Sequence, residues 1–409
     1  MATTFTSKEI DELLDGLGAF IETEVLTRHR DGGDQLADPR RRYDDDGRYS
    51  AASLDAIREV REASATAGYY TMFVPVELGG GGLGAEALFR VWEFINRRFG
   101  PHPWLALSAV AHWAKGPSHV LAHAREELRD EVLPDLLAGR TSMCFGMSEP
   151  DAGSDATRMR TQARRDGDSW IITGSKQWIS NAPYAQHAVI FTRTSAADAG
   201  TDRDGFTAFL VPTDAPGLVV DNSIRMFGHL GGDEGIIHLD DVRVDDARVL
   251  GDVGKGFAIA MSGVSSGRLY NSGRAVGLGR WAVELALEYI QRREAFGRPV
   301  AVNQGVLFPL AEAATELRAA RLLSLDVARL IDAGTPARKE LSMAKSYATE
   351  VATRAIDRAV QAHGAMGFTN ELGLSEAWQS TRKIQVADGT AEILRRDIGR
   401  ALLAGDLEL

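Results

Sequence analysis

The sequence predicts an α+β protein in which a middle β domain (141–255), a small β-barrel or sandwich, separates an N-terminal helical domain (1–140) from a C-terminal helical bundle (256–409). Three observations predict it. Apolar residues recur at helical spacing through the first 140 or so residues; short β-branched and aromatic runs punctuated by Gly, Asp and Pro take over from about Ser142; and after Gly256 the helical stripes return and lengthen. A chain of 409 residues is too long for one small core, so two or three domains sharing a compact body are expected.

Taken in order, Ile10, Leu13, Leu14, Leu17 and Ile21 share one face of a helix predicted from Thr6 to Val25, and Thr6 and Glu9 have the spacing of a capping box. The stretch RHRDGGDQLADPRRRYDDDGRY, from Arg28 to Tyr49, reads as a surface loop, because its Gly, Pro and mixed charges bury too little surface. Helices are predicted in SLDAIREVREASATAG, AEALFRVWEFINRRF and HVLAHAREELRDEVLPDLLAG. Between the first two, Gly79, Gly81 and Gly84 spell a formal GxGxxG. With helical patterns on both sides instead of a βαβ unit, these glycines predict a tight turn and no dinucleotide site. Strands are predicted in SWIITGSKQWIS, HAVIFTRT, GFTAFLVPT, GLVVDN and GIIHLDDVRV. GDVGKGF, from Gly251, lacks the spacing of a P-loop and the hydroxyl residue after its lysine.

Beyond it, Leu278, Trp281, Ala282, Leu285, Ala286 and Tyr289 form one apolar face, and Ala344, Tyr347, Ala348, Val351, Ala352, Ala355 and Ile356 another. Thr335 and Pro336 are expected to open the second of these helices as N-cap and first helical residue. The small alanine faces suit packing within the chain or against another subunit.

Composition narrows the function. A net charge of −11 without a basic, aromatic-interleaved patch argues against nucleic acid as a partner, and no apolar run approaches a membrane span. The lone Cys144 has no companion for a disulfide or a zinc site, so no metal is expected. The N-terminus lacks a basic and apolar targeting pattern, which together with cysteine usage predicts a cytoplasmic protein.

The stretch with the most chemistry is IQVADGTAEILRR, Ile384 to Arg396. Asp-Gly is a turn dipeptide, and Thr390 can cap the amphipathic run Ile393, Leu394, Ile398, Leu402. Asp388 is thereby placed in a turn just ahead of a helix.

Taken together, MSEPDAGSD (Met147 to Asp155), GSKQWISNA (Gly174 to Ala182), DDVRV with LGDVGKGFAIAM, RREAFGRPV (Arg292 to Val300), Gln304, and QAHGAMGF leading to ADGTAEI resemble the acyl-CoA dehydrogenase superfamily over nearly the whole chain. The resemblance implies FAD lying extended between the β domain and the C-terminal bundle, with a neighbouring subunit of a homotetramer or homodimer completing its site. By resemblance, Phe145, Met147, Ser148, Gly153 and Ser154 meet the flavin ring and ribityl chain, Trp178 covers one ring face beside Ile179, and Ser180 keeps a hydroxyl near the hydride-accepting nitrogen. Arg293, Phe296, Gln304, Gln361, Gly364 and Ala365 match positions that hold the diphosphate and adenosine, where a guanidinium fork suits a diphosphate; Thr390 and Glu392 also match cofactor positions. Ser154, Arg268, Ala387 and Gly389 match positions beside the substrate.

Asp388 falls on the catalytic-base position, where the family commonly has glutamate in a Tyr-Glu-Gly-Thr string, and the family's alternative base position is here Gly267. Asp388 is therefore expected to take the α-proton of an acyl thioester as the β-hydrogen leaves as hydride. The shorter carboxylate and the absent ring at Ala387 imply a wider pocket and an acyl group that is branched, cyclic or polar near its α-carbon. A small departure at Ala365, where the family usually has glycine, leaves FAD as the expected cofactor. An electron-transfer flavoprotein is the expected electron acceptor. Left open are an oxygen-using oxidase or monooxygenase of the same superfamily, an acyl-carrier-protein thioester in place of acyl-CoA, and a flavin-binding scaffold without activity.

Overall fold

In a computed structural model the chain is described over residues 6–38, 40–194, 205–221, 224–227 and 231–408. Asn222, at the end of one expected strand, and residues 1–5 lie outside them.

The helices before the sheet are α1 (Ser7–Phe20), which runs on through a π-turn at Ile21–Val25, α2 (Leu26–Asp31), α3 (Gly33–Ala37), α4 (Ala51–Thr66), α5 (Ala85–Phe99) and α6 (Glu126–Leu137). The capping box forms: Glu9 N donates to Thr6 Oγ1 at 3.3 Å, and Thr6 N donates to Glu9 Oε2 at 2.7 Å. Two expectations need correction. The Arg28–Tyr49 stretch is helical to Ala37, where buried Leu36 supplies the apolar contact that composition hid. HVLAH is a 3₁₀ turn, His119–His123, and α6 starts only at Glu126 because the chain is extended at Ala124 and Arg125.

The strands are β1 (Met143–Gly146), β2 (Gln162–Asp166), β3 (Ser169–Ser180), β4 (His187–Arg193), β5 (Phe206–Pro212), β6 (Leu218–Asp221), β7 (Glu234–Asp245) and β8 (Val249–Leu250). They form one sheet in the order β6-β7-β3-β2-β4-β5-β8, with β1 pairing in parallel with β4. The β2–β4 joint is a single pair, Gln162 with Arg193. Either side of that joint, the inward residues meet in one core: Ile172, Ile179, Ile237 and Val242 from one half, Cys144, Ile190, Phe209 and Val211 from the other. The opposite face of β4 and β5, with Val189, Phe191, Phe206 and Leu210, packs on Val132, Leu136, Ile259 and Ala260, which is why those strands are apolar on both faces.

The C-terminal elements are α7 (Gly256–Arg292), the hairpin β9 (Glu294–Ala295) and β10 (Arg298–Pro299), α8 (Gln304–Asp332), α9 (Arg338–His363), a 3₁₀ turn at Gly364–Phe368, α10 (Leu374–Ile384) and α11 (Ala391–Leu403). The two predicted apolar faces pack into the core, Trp281, Leu285, Tyr289 and Tyr347 being half-buried at its margin and the rest buried. The expected opening of α9 at Thr335 and Pro336 is wrong. Gly334, at φ +81°, ends α8, and Thr335 N donates to Leu330 O at 2.9 Å, so Thr335 completes the earlier helix and α9 begins three residues on.

By internal contacts the chain divides into two compact units: Met1–Ala19 with Leu83–Ala106 and Ser265–Leu409, and Phe20–Gly82 with Leu107–Val264. In the first, the formal GxGxxG is explained. Its last glycine, Gly84, leaves room for the Asp332 carboxylate, which accepts from Ala85 N at 2.6 Å and Glu86 N at 2.9 Å and so caps α5. No helix among the described residues is long and apolar enough to cross a membrane.

Candidate active site

In the sheet-containing unit, β1 delivers Phe145 and runs into the Met147–Asp155 loop. Phe145 packs edge-on against Trp113, ring centroids 5.0 Å apart, and tilted against Phe191 at 4.7 Å. The loop is tied down from beneath by two groups the sequence reading did not single out. Lys176 of β3, with no solvent exposure, donates to Glu149 Oε1 at 2.7 Å and to Met147 O at 3.3 Å; Glu149 also accepts from Arg160 N at 2.6 Å and Thr161 N at 3.0 Å. Burial works to raise the Glu149 carboxyl, but Lys176 and these donors hold it below its ordinary value; burial pushes the Lys176 ammonium down to about 8 against the pull of Glu149. Above this anchor Met147 is buried and Ser148 half-buried, with Ser148 O accepting from Gln177 N at 2.9 Å, whereas Gly153 and Ser154 are exposed.

Trp178 owes its place to a β-bulge. Lys176 pairs with Ile237 and Ile179 with Gly235, so Gln177 and Trp178 together oppose Ile236 alone, and Trp178 adopts φ +66°. The bulge sends Ile179 into the core and leaves Trp178 54% exposed. Ser180, the last residue of β3, is half-buried.

In the helical unit, the remaining expected residues form two separate groups. Arg293 follows α7, Phe296 is fully exposed at the tip of the β9–β10 hairpin with φ +53°, and Gln304 opens α8. Gln361 lies in the last turn of α9, with Gly364 and Ala365 just beyond it, exposed; Gly364 has φ +59° and open space where a side chain would stand. Ile290, Val300, Val306, Ala359 and Val360 share the core cluster beneath these residues.

The second group surrounds Asp388, about 24 Å further along α9 by the helical rise from Gln361 to Lys345. The turn between α10 and α11 puts Asp388 at φ +55° and Gly389 at +100°, and Thr390 Oγ1 accepts from Ile393 N at 3.3 Å as the α11 cap. Asn271 Nδ2 donates to Asp388 Oδ2 at 2.8 Å, and Arg268 Nε donates to Asp388 O at 3.0 Å, both from one face of α7. From α9 Lys345 donates to Ala387 O at 2.8 Å and Gly389 O at 2.7 Å. Arg268 also lies 3.9 Å from Asp397 and beside the Cα of Gly389, while Ala387 and Glu392 are exposed. Burial pushes the Asp388 carboxyl up to about 6, opposed by the charges of Lys345 and Arg268 and by the Asn271 amide. The Asp388 N–H has no acceptor among the described residues. A raised carboxyl beside a free N–H can take a proton from a carbon while binding the adjacent carbonyl oxygen.

Asn271 and Lys345 were not anticipated. Lys345 carried a signal: at i+4 from Leu341 and i−3 and i−7 from Ala348 and Ala352, it is a charge on the buried stripe of its helix. Asn271 carried none.

Three family models match in order: acyl-CoA dehydrogenase N-terminal domain at residues 8–140, middle domain at 144–242 and C-terminal domain at 254–403. The chain is 35% identical to the probable acyl-CoA dehydrogenase YngJ of Bacillus subtilis over 80% of its own length and 85% of that protein. It is also 35% identical to the human mitochondrial short-chain specific acyl-CoA dehydrogenase, covering 82% of this chain and 80% of the relative. Among solved structures, an acyl-CoA dehydrogenase from Geobacillus kaustophilus superposes with a TM-score of 0.83 at 25% identity, over 98% of this chain and all of the other.

Proposed function

Because the chain belongs to the acyl-CoA dehydrogenase family, we propose that it desaturates an acyl thioester whose acyl group is branched, cyclic or polar, with Asp388 as the base that removes the α-proton. It is an FAD-dependent oxidoreductase acting on a CH–CH bond. The observation that carries the base assignment is the Asp388 turn: a carboxyl that burial raises to about 6, next to an N–H without a partner among the described residues. Such a carboxyl is ionised at neutral pH yet basic enough to accept a carbon-bound proton once that proton is acidified. The Asp388 N–H acidifies it by binding the thioester oxygen, where negative charge grows as the α-proton leaves. Asn271 holds the carboxylate at one oxygen, leaving the other to face the substrate.

The residues present fit FAD. A tryptophan ring held out in solvent by a bulge, a fully exposed Phe296, and the open space around Gly153 and Gly364 are what a large, flat, phosphate-bearing ligand requires. When bound, FAD supplies the acceptor for the β-hydrogen and its electron pair. In this reading Phe145, Met147, Ser148, Gly153, Ser154, Trp178, Ile179 and Ser180 hold its ring and ribityl chain, and Arg293, Phe296, Gln304, Gln361, Gly364 and Ala365 its diphosphate and adenosine, with Thr390 and Glu392 beside it. Arg268, Ala387 and Gly389, with Ser154, bound the substrate. Exposed Phe296, Phe308 and Phe368 support assembly of copies of the chain as a homotetramer or homodimer, and the single Cys144 suits a reducing, cytoplasmic setting. An electron-transfer flavoprotein then reoxidises the enzyme.

The test is anaerobic bleaching of the purified flavoprotein by a panel of acyl thioesters, with and without Asp388→Asn. Bleaching by branched, cyclic or polar thioesters that the variant loses is expected. Equal rates with short linear chains defeat the substrate assignment, and undiminished bleaching in the variant defeats the base. The aspartate also suits an oxygen-using relative, for which reduced flavin reoxidises in air within seconds.

A further inference from the structure

Lys345 lies in a row of small and apolar residues on α9, and none of its side chain reaches solvent. Its ammonium donates to three main-chain carbonyls of a single turn: Gly389 O at 2.7 Å, Ala387 O at 2.8 Å and Gln385 O at 3.3 Å. These use every donor an ammonium has. Arg268 takes the carbonyl between them, that of Asp388. In the turn that results Asp388 lies in the left-handed region, uncommon for an L-residue although aspartate enters it more readily than most, and Gly389 lies beyond it at φ +100°. Gathering the carbonyls on one side of the turn leaves the Asp388 N–H uncommitted.

We propose that Lys345 is a positioning residue for the dehydrogenation: by drawing the carbonyls of Gln385, Ala387 and Gly389 together it holds the left-handed turn that presents the Asp388 N–H to the thioester oxygen, and its charge keeps the Asp388 carboxylate ionised. The inference rests on Asp388 being the base.

The charges around the pair come from every packed element. Asp388 faces Lys345 from α9 and Arg268 with Asn271 from α7; Arg268 is drawn toward Asp397 of α11, and Lys345 feels Asp388, Arg268 and Glu392. Burial raises the carboxyl while the two cations lower it, so removing the Lys345 charge raises it further. Desaturation needs the ionised carboxylate, so the acid limb of the rate profile then moves to higher pH. A purely structural lysine changes stability without moving that limb.

The experiment compares the full-length, FAD-loaded wild type with Lys345→Met, Lys345→Arg and Asp388→Asn. The readout is the anaerobic single-turnover bleaching rate from about pH 5 to 9, with the thioester found best in the panel, alongside flavin content and far-UV circular dichroism. Lys345→Met is expected to move the acid limb upward by about one pH unit and to lower the limiting rate at least about tenfold, with a smaller change in thioester affinity. Lys345→Arg keeps the charge without the compact three-carbonyl geometry, so its acid limb stays in place while its limiting rate falls. A folded Lys345→Met variant with an unmoved acid limb overturns the proposal. If Lys345→Met does not fold, Lys345→Arg decides: a wild-type limiting rate or a displaced acid limb overturns it. The two readings fail separately, because an active Asp388→Asn variant removes the base, whereas an inactive one with an unmoved Lys345→Met limb removes only the role of Lys345.

Discussion

Replacing Asp388 with Asn keeps the shape of the side chain and removes its charge, so its effects on stability and on rate should have opposite signs. In the folded chain burial moves the carboxyl from 3.8 to about 6. The folded state then binds this proton more tightly than the unfolded chain does. The associated stability is fully present below about pH 4 and is lost as pH rises through about 6. A shift of about two units is worth about 3 kcal/mol, which is the most that the ionised carboxylate costs the fold at about pH 7.5. Asn avoids that cost, and its amide oxygen can still accept from Asn271 Nδ2. For a chain of 409 residues, unfolding entropy of about 2.1 cal/mol/K per residue turns this into a rise of about 3 °C in Tm. Loss of the base should meanwhile lower the bleaching rate about 10²- to 10⁴-fold. The assay is thermal unfolding of FAD-loaded wild type and variant at about pH 7.5 and about pH 4. A variant that is less stable at the higher pH, or equally stabilised at both, refutes the burial argument.

Two further outcomes follow from the geometry. Lys176→Met strands Glu149 in the interior with only the Arg160 and Thr161 amides for partners, so stability should fall by about 3–5 kcal/mol in urea unfolding; Lys176→Met combined with Glu149→Leu should recover most of the loss, and no recovery means the pair is not what anchors the Met147–Asp155 loop. Ala387→Tyr returns a ring to the exposed position before Asp388, and competition between a branched and a linear thioester should then swing toward the linear one by about tenfold or more; an unchanged ratio shows that Ala387 does not set acyl shape.

Legibility tracked the range of the interactions. The Thr6–Glu9 box and the Thr390 cap join residues three apart, and Asp388-Gly389 is a turn dipeptide, so local sequence identifies each of them. The stripes of α7 and α9 were equally plain, because burial of one helix face imposes its period on the sequence. The misread segments were those where composition competed with context. Leu36 was enough to fold part of a charged stretch into α3, and Thr335, with the look of an N-cap, was already committed to closing α8. For Trp178 the motif marked the residue, but only the register of β3 against β7 revealed the bulge that holds it out.

The sequence by itself determined the order helical, β, helical, the family through motifs spread along the chain, and the carboxylate in a capped turn. Each is written in residues close together, or in a period that any partner surface would satisfy. Tertiary structure alone decided what surrounds that carboxylate. Asn271 reaches Asp388 across 117 positions of chain, and Lys345 reaches Ala387 across 42. No local spacing encodes such contacts, because they exist only once α7 and α9 pack against the α10–α11 turn. The proton affinity of Asp388 is set by that packing, through burial on one side and two cations on the other.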